Sequence, residues 1–180
     1  MFTLWIMGRP AAGKSTLARG LADRLAASGR DVENLDGDDF RAQFHPELGF
    51  SRADRRVNNR RTAHVAKLLN RHGVVTVVGM ITPFAAAREL ARETVEPDGE
   101  FVLVYARCSL ESAEARDPKG LYADARAGEV EKFTGVDHPF EEPTDPDVVV
   151  DTERSSPAEG VSHVLDRLVE LDVIGERPDA

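Results

Sequence analysis

Residues 8–15 read Gly8-Arg-Pro-Ala-Ala-Gly-Lys-Ser15, and this stretch decides the fold. It has the form G-x-x-x-x-G-K-[ST], a loop whose backbone N–H groups hold the phosphates of a nucleotide. An apolar run, residues 2–7, precedes it, and leucines recur every fourth residue after it, at Leu17, Leu21 and Leu25. The motif therefore lies between a predicted strand and a predicted helix, which is the context that it requires. The stretch predicts binding of a nucleoside triphosphate.

Two residues of this loop carry its chemistry. Lys14 supplies a positive charge to the β- and γ-phosphates, and the Ser15 hydroxyl is suited to binding Mg²⁺. The start of the following helix adds free N–H groups and a favourable dipole for an anion. We therefore expect ATP and Mg²⁺ as ligands, with contacts from the loop and the residue after it: Gly8, Arg9, Pro10, Ala11, Ala12, Gly13, Lys14, Ser15 and Thr16.

The composition is that of a soluble globular protein. The chain has 180 residues, 41% hydrophobic and 31% charged, which suits one domain at residues 1–174 with a frayed tail at 175–180. It has no apolar run of membrane-spanning length and no export signal before the first strand, so we expect a cytoplasmic protein without a membrane partner. The single cysteine, Cys108, excludes an internal disulfide. A net charge of −9 argues against a nucleic-acid partner.

Apolar runs alternate with helical patterns along the chain, which predicts parallel βαβ units. The predicted strands are 2–7, 32–35, 74–78, 101–105 and 147–150, and the predicted helices are 14–28, 51–71, 83–92 and 158–171. Ser51, three residues before Asp54, is predicted to cap the second helix, and Pro83 to open the third. These features predict an α/β protein with the three-layer P-loop NTPase fold, in which helices flank a mostly parallel sheet.

Residues 116–145 differ from the rest of the chain. They are polar, contain Gly120, Gly128 and Gly135, and mix charges with isolated aromatic residues. A segment of this length with so little apolar material is more often a functional lid than a packed element. We therefore expect a mobile lid.

In an open parallel sheet, ligands bind beyond the carboxyl ends of the strands. Asp36 follows the second predicted strand, where a carboxylate can accept a proton from an acceptor hydroxyl or reach the Mg²⁺ shell. The alternative is that Asp36 and Gly37 form a plain turn and that Asp38 caps the next helix. For Asp38 and Asp39, the sequence is equally compatible with capping and with ligand binding.

Four further residues indicate the chemistry of the acceptor. Arg41 and Arg55 bring two guanidinium groups to the predicted kinase site, which indicates an anionic acceptor. Phe50 and Phe133 are aromatic residues in otherwise polar segments, suited to stacking on a base. Packing in the core is the alternative role for both phenylalanines, and the pattern alone favours it.

A series of motifs follows the phosphate loop in the order found in one kinase family. These motifs are Leu35-Asp-Gly-Asp38 with Arg41, Leu48-Gly-Phe-Ser-Arg-Ala-Asp-Arg55 with Asn58, Ile81-Thr-Pro-Phe84, Arg116-Asp-Pro-Lys-Gly-Leu-Tyr122 and Phe133-Thr-Gly135. Through them the chain resembles the adenylylsulfate (APS) kinases of sulfate assimilation, over roughly residues 4–152.

The resemblance implies ATP-dependent phosphorylation of the 3′-hydroxyl of adenosine 5′-phosphosulfate (adenylyl sulfate), with Mg²⁺, by a homodimer. It implies that Lys14, Asp36 and Thr82 are catalytic. Ser15 and Asp36 would hold the metal, and Arg116 would contact ATP. The acceptor contacts that it implies are Asp38, Asp39, Arg41, Phe50, Arg55, Asn58, Ile81, Lys119, Lys132 and Phe133, with Phe50 and Phe133 on opposite faces of the adenine.

The chain departs from the family's pattern in four places. They are Arg9-Pro10-Ala11 within the phosphate loop, Asp39 in place of the usual Asn, Val57 in place of the usual Glu, and Thr82 in place of a Ser. Because direct in-line transfer requires no phosphoenzyme, we expect a hydrogen-bonding role for Thr82. Two alternatives stay open: a paralogue that phosphorylates another small hydroxyl or nucleotide-linked acceptor, and a nucleotide-dependent binding module without turnover. The presence of both Lys14 and Asp36 speaks against the second.

Overall fold

The computed structural model describes residues 1–178, in which each of five strands is followed by one or two helices. The strands are β1 (Phe2–Met7), β2 (Val32–Asp36), β3 (Val75–Gly79), β4 (Glu100–Arg107) and β5 (Val148–Asp151). The helices are α1 (Lys14–Ala27), α2 (Gly37–Phe44), α3 (Arg52–Arg71), α4 (Ala85–Val95), α5 (Leu110–Arg116), α6 (Leu121–Arg126) and α7 (Pro157–Glu170).

The five strands form one sheet in the order β2-β3-β1-β4-β5, and every neighbouring pair is parallel. The strands therefore all end at the same edge of the sheet. The loops that leave β1, β2 and β3 begin side by side there, which is where ligands bind in open α/β sheets. The predicted fold class is confirmed.

Alternation along β1 explains the three layers. Leu4 and Ile6 belong to the apolar cluster that includes the inner faces of α1 and α7, while Trp5 and Met7 belong to the cluster that includes α3 and α4. All four side chains are fully buried. Successive side chains of a strand point to opposite faces, so a fully apolar strand requires a helical layer on each side.

Most of the predicted boundaries agree with the structure. Ser51 caps α3 as predicted, since its hydroxyl accepts a hydrogen bond of 3.1 Å from the Asp54 N–H. The prediction that Pro83 opens a helix is wrong, because α4 begins at Ala85 with Phe84 as its N-cap. The Pro83 carbonyl accepts a hydrogen bond from the Glu141 N–H at 2.8 Å, so it serves a tertiary contact and not the helix.

Helices α5 and α6 are absent from the sequence prediction, and α2 is implied only by the alternative in which Asp38 caps a helix. Each has eight residues or fewer, too few to display a helical period. The available signal for α2 was the four-residue spacing of Phe40 and Phe44, whose rings stack with centroids 4.7 Å apart.

The segment 116–145 contains more apolar anchors than its composition suggests. Tyr122 and Phe133 are 2% and 7% exposed and pack in the same cluster as α1 and α7. The expectation of little apolar packing is therefore wrong for these two residues, whereas the mobility of the segment stays a prediction.

The predicted tail is in contact with the domain in its described part. The Pro178 carbonyl accepts a hydrogen bond from Arg24 at 2.7 Å, and Arg177 pairs with Asp166 on α7. Residues 179–180 lie outside the described residues. Within residues 1–178, no helix combines the length and the apolarity needed to cross a membrane.

Candidate active site

A cavity of about 740 Å³ opens at the carboxyl edge of the sheet. Most of the predicted site residues line it: Pro10, Ala11, Gly13, Lys14, Ser15, Thr16, Asp36, Asp38, Arg41, Phe50, Arg55, Asn58, Ile81, Thr82, Arg116, Lys119, Lys132 and Phe133. Gly8, Arg9, Ala12 and Asp39 are not among the described residues that line it. The structure therefore brings the phosphate loop and the predicted acceptor residues to one cavity.

The phosphate loop presents free backbone donors to this cavity. Gly13 is the N-cap of α1 with φ of 85°, and no side chain caps the helix. The first N–H groups of α1 are thus available to an anion. Gly8 serves packing instead, because a Cβ there would approach the Ala106 carbonyl oxygen to 2.5 Å. Glycine at position 8 lets the end of β1 pack closely on β4.

Lys14 is held inside the phosphate loop. Its ammonium group donates a 2.7 Å hydrogen bond to the Arg9 carbonyl. Burial lowers the pKa of Lys14 from 10.5 to about 8. The lysine is therefore mostly charged at neutral pH, in a desolvated position where its charge acts strongly on a bound phosphate.

Asp36 lies beside the phosphate loop at the start of α2. Its carboxylate caps this helix by accepting a 3.0 Å hydrogen bond from the Asp38 N–H. Burial opposes its ionisation, but the Ser15 hydroxyl and the N–H groups of Asp38 and Asp39 outweigh this effect and lower the pKa of Asp36. The alternative in which Asp38 caps the helix is therefore wrong, since Asp36 does so.

Ser15 and Asp36 fit the requirements of Mg²⁺. The cation takes oxygen ligands and commonly uses one or two protein groups together with substrate phosphates and water. A hydroxyl and an ionised carboxylate that interact with each other supply such a pair. Within the described part of the chain, no cluster of three or more His, Cys, Asp and Glu residues offers a self-sufficient metal site.

Two arginines lie close to the ring of Phe50. The guanidinium carbons of Arg41 and Arg55 lie 4.5 Å and 5.6 Å from the centre of its ring. Arg55 is 8% exposed and donates to the carbonyls of Phe50 and Lys132, each at 3.0 Å. Burial lowers the pKa of Arg55 to about 10, so its charge persists at neutral pH. Phe50 itself is 52% exposed, so much of the residue is accessible to a ligand.

Two neighbouring asparagines of α3 add amide groups to the cavity wall. Asn58 is 4% exposed, and its Oδ1 has no hydrogen-bond partner among the described residues. Asn59 is 3% exposed and also lines the cavity, although the sequence reasoning did not include it. Its signal was its position four residues after Arg55, on the same face of the predicted helix.

Phe133 faces the cavity from the segment after α6. Its ring meets Tyr122 edge to face, with centroids 4.9 Å apart. The carboxylate of Asp137 accepts hydrogen bonds from the N–H groups of Lys132 and Phe133, both at 2.6 Å. These hydrogen bonds lower the pKa of Asp137. Tyr122 and Asp137 thus fix the position of Phe133, and the sequence reasoning missed both roles.

Thr82 is buried, with its hydroxyl engaged by the core. The indole Nε1 of Trp5 donates a 2.9 Å hydrogen bond to the Thr82 hydroxyl oxygen, and Thr82 is 2% exposed. Its φ of 40° is unusual for a β-branched residue, and its carbonyl accepts a hydrogen bond from Arg88 at 3.2 Å. The geometry fits a hydrogen-bonding role at the turn after β3.

Arg116 connects the end of α5 to the loop after β5. It donates to the hydroxyl and the carbonyl oxygens of Thr152 at 3.2 Å and 2.6 Å. This places its guanidinium at the cavity wall in a fixed orientation. Its predicted contact with ATP stays a prediction.

Comparisons with known proteins agree with this geometry. The model of the adenylylsulphate kinase family matches residues 1–151. A probable adenylyl-sulfate kinase of Archaeoglobus fulgidus is 46% identical over 86% of this chain and 97% of its own length. The adenylyl-sulfate kinase of Staphylococcus carnosus is 43% identical over 95% of this chain and 85% of its own.

A solved structure extends the likeness to three dimensions. It is the Mycobacterium tuberculosis APS kinase in complex with AMPPNP and APS, with a TM-score of 0.89 and 41% identity over 92% of this chain and 96% of that one. A gluconokinase at 19% identity and a shikimate kinase at 16% share the fold alone. Since the family model covers most of the chain and relatives above 40% identity span nearly all of it, the chain belongs to the adenylylsulphate kinase family.

Proposed function

We propose that this chain transfers the γ-phosphoryl group of ATP to the 3′-hydroxyl of adenosine 5′-phosphosulfate. One observation carries the proposal. A single cavity is lined by the phosphate-loop residues Lys14 and Ser15 and by Phe50 with its two neighbouring arginines, Arg41 and Arg55. The first group suits a nucleoside triphosphate, and the second suits an anionic aromatic acceptor. The solved relative bound to AMPPNP and APS supports the same pairing of ligands.

The residues around the phosphates would act by position and charge. Phosphoryl transfer needs aligned groups and neutralised charge more than covalent help. Lys14 would bind the transferred phosphoryl oxygens from a desolvated position, where a charge contributes most. Asp36 would orient the acceptor hydroxyl and accept its proton. Ser15 and Asp36 would hold Mg²⁺, which when bound supplies further positive charge to the phosphates.

The acceptor would be recognised by stacking and by cationic contacts. The adenine would lie between Phe50, which is about half exposed, and Phe133, whose backbone is fixed by Asp137. Arg41 and Arg55 would hold the phosphosulfate group. The buried Oδ1 of Asn58, which has no partner among the described residues, would accept a hydrogen bond from a donor group of the bound adenylyl sulfate.

The finer features of the proposal come from the family resemblance. They are Mg²⁺ as the cation, a homodimer as the assembly and the cytoplasm as the location. Sedimentation of the purified protein tests the homodimer directly.

A coupled ADP-release assay tests the proposed activity. ATP and Mg²⁺ are held constant while adenylyl sulfate, AMP and other nucleotides are offered as acceptors. We expect rapid ADP release with adenylyl sulfate and formation of the 3′-phosphorylated product. Turnover with a different acceptor alone would indicate a paralogue. ATP binding without turnover on any acceptor would indicate a binding module.

A further inference from the structure

The side chain of Arg9 does not face the phosphate cavity. Its guanidinium lies over the ring of Phe140, 4.5 Å from the centre, and its Nη2 is 3.2 Å from a carboxylate oxygen of Glu142. The side chain is only 16% exposed in this position. A residue of the phosphate loop thus contacts the far end of the segment 116–145.

The stretch around Phe140 is held from its other side as well. The ring of Tyr105 on β4 lies 6.3 Å from that of Phe140. The next residue, Glu141, receives a 2.9 Å hydrogen bond from Arg88 at its carbonyl. Arg9 therefore completes a socket for Phe140, in which Tyr105 of β4 lies beside the ring and Arg88 of α4 holds the backbone of the next residue.

This socket is a short distance along the chain from the ring proposed to stack on the acceptor. Residues 133–138 form a compact turn, in which the His138 N–H bonds to the Phe133 carbonyl at 3.1 Å and Asp137 bonds to the Phe133 N–H. One residue separates this turn from Phe140. The position of Phe140 therefore limits where Phe133 can lie.

A second contact connects the same two parts of the molecule. The hydroxyl of Tyr122 donates to the carbonyl of Pro10 at 3.2 Å, and the Tyr122 ring packs on Phe133. Two consecutive residues of the phosphate loop, Arg9 and Pro10, thus contact the two parts of the segment that flank Phe133. The loop that would bind ATP is therefore in direct contact with the residues that hold Phe133, the residue that would stack on the acceptor.

We propose that Arg9 is a positioning residue for the acceptor: by seating Phe140 it holds Phe133 in place, and its side chain does not contact ATP. This inference rests on the proposed function for its kinetic test. The contact of Arg9 with the Phe140 ring should contribute more to holding this segment in place than the ion pair of Arg9 with Glu142. Glu142 is 60% exposed, and exposed ion pairs contribute little. Loss of an arginine–aromatic contact of this kind corresponds to about a fivefold change in an equilibrium.

The test compares Arg9→Leu, Phe140→Leu and the double variant with the original protein. Arg9→Leu keeps an aliphatic side chain at this position, in place of the aliphatic part of arginine, and removes the charged, planar guanidinium group. We expect Arg9→Leu to raise KM for adenylyl sulfate about fivefold and to leave KM for ATP within about twofold. In the double variant, KM for adenylyl sulfate should rise little more than in the more strongly affected single variant, because both changes disrupt the same socket. Arg30→Leu, which removes a guanidinium bonded only to Ser28 in the described structure, is the matched control.

Hydrogen exchange gives a readout that does not depend on activity. In Arg9→Leu, amides of residues 133–142 should exchange several-fold faster, while those of α1 keep their rates. A rise in KM for ATP with an unchanged acceptor KM, or unchanged exchange at residues 133–142, would overturn the proposal. If the original protein does not phosphorylate adenylyl sulfate, the proposed function fails. The exchange measurement then still decides whether Arg9 seats the segment.

Discussion

The ammonium group of Lys119 lies 2.5 Å from a carboxylate oxygen of Asp38. This ion pair connects the segment 116–145 to the first turn of α2, and both residues line the cavity. The hydrogen bond with Asp38 raises the pKa of Lys119, so the lysine is charged at neutral pH. Both side chains are more than half exposed, and such pairs contribute at most about 1 kcal/mol. An anionic ligand can therefore replace Asp38 as the partner of Lys119 at little cost.

Replacement of Lys119 should weaken acceptor binding without weakening the fold. We expect Lys119→Ala to raise KM for adenylyl sulfate by about tenfold, which matches one lost charge-assisted hydrogen bond. KM for ATP and the thermal midpoint should change little. Lys67→Ala is the matched control, because Lys67 also forms an ion pair, with Asp98, and does not line the cavity. An unchanged acceptor KM in Lys119→Ala would remove this residue from the acceptor site.

The lowered pKa of Lys14 predicts a pH dependence of ATP binding. Burial brings the pKa of Lys14 in the ligand-free protein to about 8, so its charge is lost as the pH rises through this value. We expect the Kd for ATP to increase between pH 7 and pH 9 as measured by calorimetric titration. Lys14→Met should bind ATP more weakly at every pH, and its Kd should not follow this change.

The lowered pKa of Lys14 also predicts that the ligand-free protein becomes more stable as the pH rises, whereas its affinity for ATP falls. Between about pH 8 and 10.5 the unfolded chain keeps a proton on Lys14 that the folded protein has released. The free energy of unfolding contributed by this group therefore rises with pH across that window. Denaturation of the ligand-free protein and of Lys14→Met at several pH values measures the difference. A difference that is constant from pH 7 to pH 10.5 would contradict the lowered pKa.

Asp36→Asn separates the chemistry of this residue from its structural role. Asn caps helices as well as Asp does, so α2 should form normally although the capping carboxylate is gone. We expect kcat to fall by about 10²–10⁴, since the group that accepts the proton and binds the metal is removed. ATP binding should stay measurable by calorimetry. Asp23→Asn on α1 is the control for an acid-to-amide change, and normal turnover in Asp36→Asn would assign the catalytic role elsewhere.

The sheet could be predicted from the sequence because its signals are local. Continuous apolar runs such as residues 2–7 and a loop motif between them identify parallel strands without knowledge of their partners. The cap of α3 at Ser51 is local in the same sense. The strand order was not accessible, because pairing of β1 with β3 and β4 depends on contacts between distant parts of the chain.

The site was predictable by residue type and less so by orientation. Lys14, Asp36 and Arg55 follow from motifs and line one cavity as expected. Arg9 belongs to the motif, yet its side chain turns away to Phe140, a contact across more than a hundred residues. Asp39 also departs from expectation, since the first turn of α2 directs it to solvent and away from the cavity wall. A motif constrains the backbone, whereas the direction of an individual side chain depends on its tertiary neighbours.

Thr82→Ala should affect stability more than catalysis. The change leaves the buried Trp5 indole N–H without its acceptor, which costs about 1–3 kcal/mol of unfolding free energy. We expect less than about a tenfold loss in kcat, because direct transfer needs no covalent intermediate. Thr82→Ser keeps the oxygen and should retain most of the stability. Incubation with γ-labelled ATP without acceptor checks the chemistry, and label on Thr82 that transfers to product would refute direct transfer.

Phe133→Leu and Phe133→Ala test the stacking surface proposed for the acceptor. Phe133 is 7% exposed and packs on Tyr122, so Phe133→Ala removes both the packing and the ring face. Phe133→Leu preserves apolar volume against Tyr122 and removes only the aromatic face, and Phe133→Tyr keeps that face as the matched control. We expect both the Leu and the Ala variant to raise KM for adenylyl sulfate by an amount that corresponds to about 1–3 kcal/mol of lost stacking free energy. The effect on KM for ATP should be smaller.

The thermal midpoints distinguish this role from packing alone. Phe133→Ala should unfold at a lower temperature than Phe133→Leu, since it leaves a larger cavity, yet the two should have similar acceptor KM values because neither can stack. The alternative outcome is that KM for adenylyl sulfate is normal in Phe133→Leu and raised only in the less stable Phe133→Ala. In that case the Phe133 ring contributes to core packing and does not stack on the acceptor.

Hydrogen exchange of the same variants tests the mobility of the lid. Amides of residues 116–134 should gain protection when both nucleotides bind the original protein and gain much less in Phe133→Leu, because closure requires a base to contact that ring.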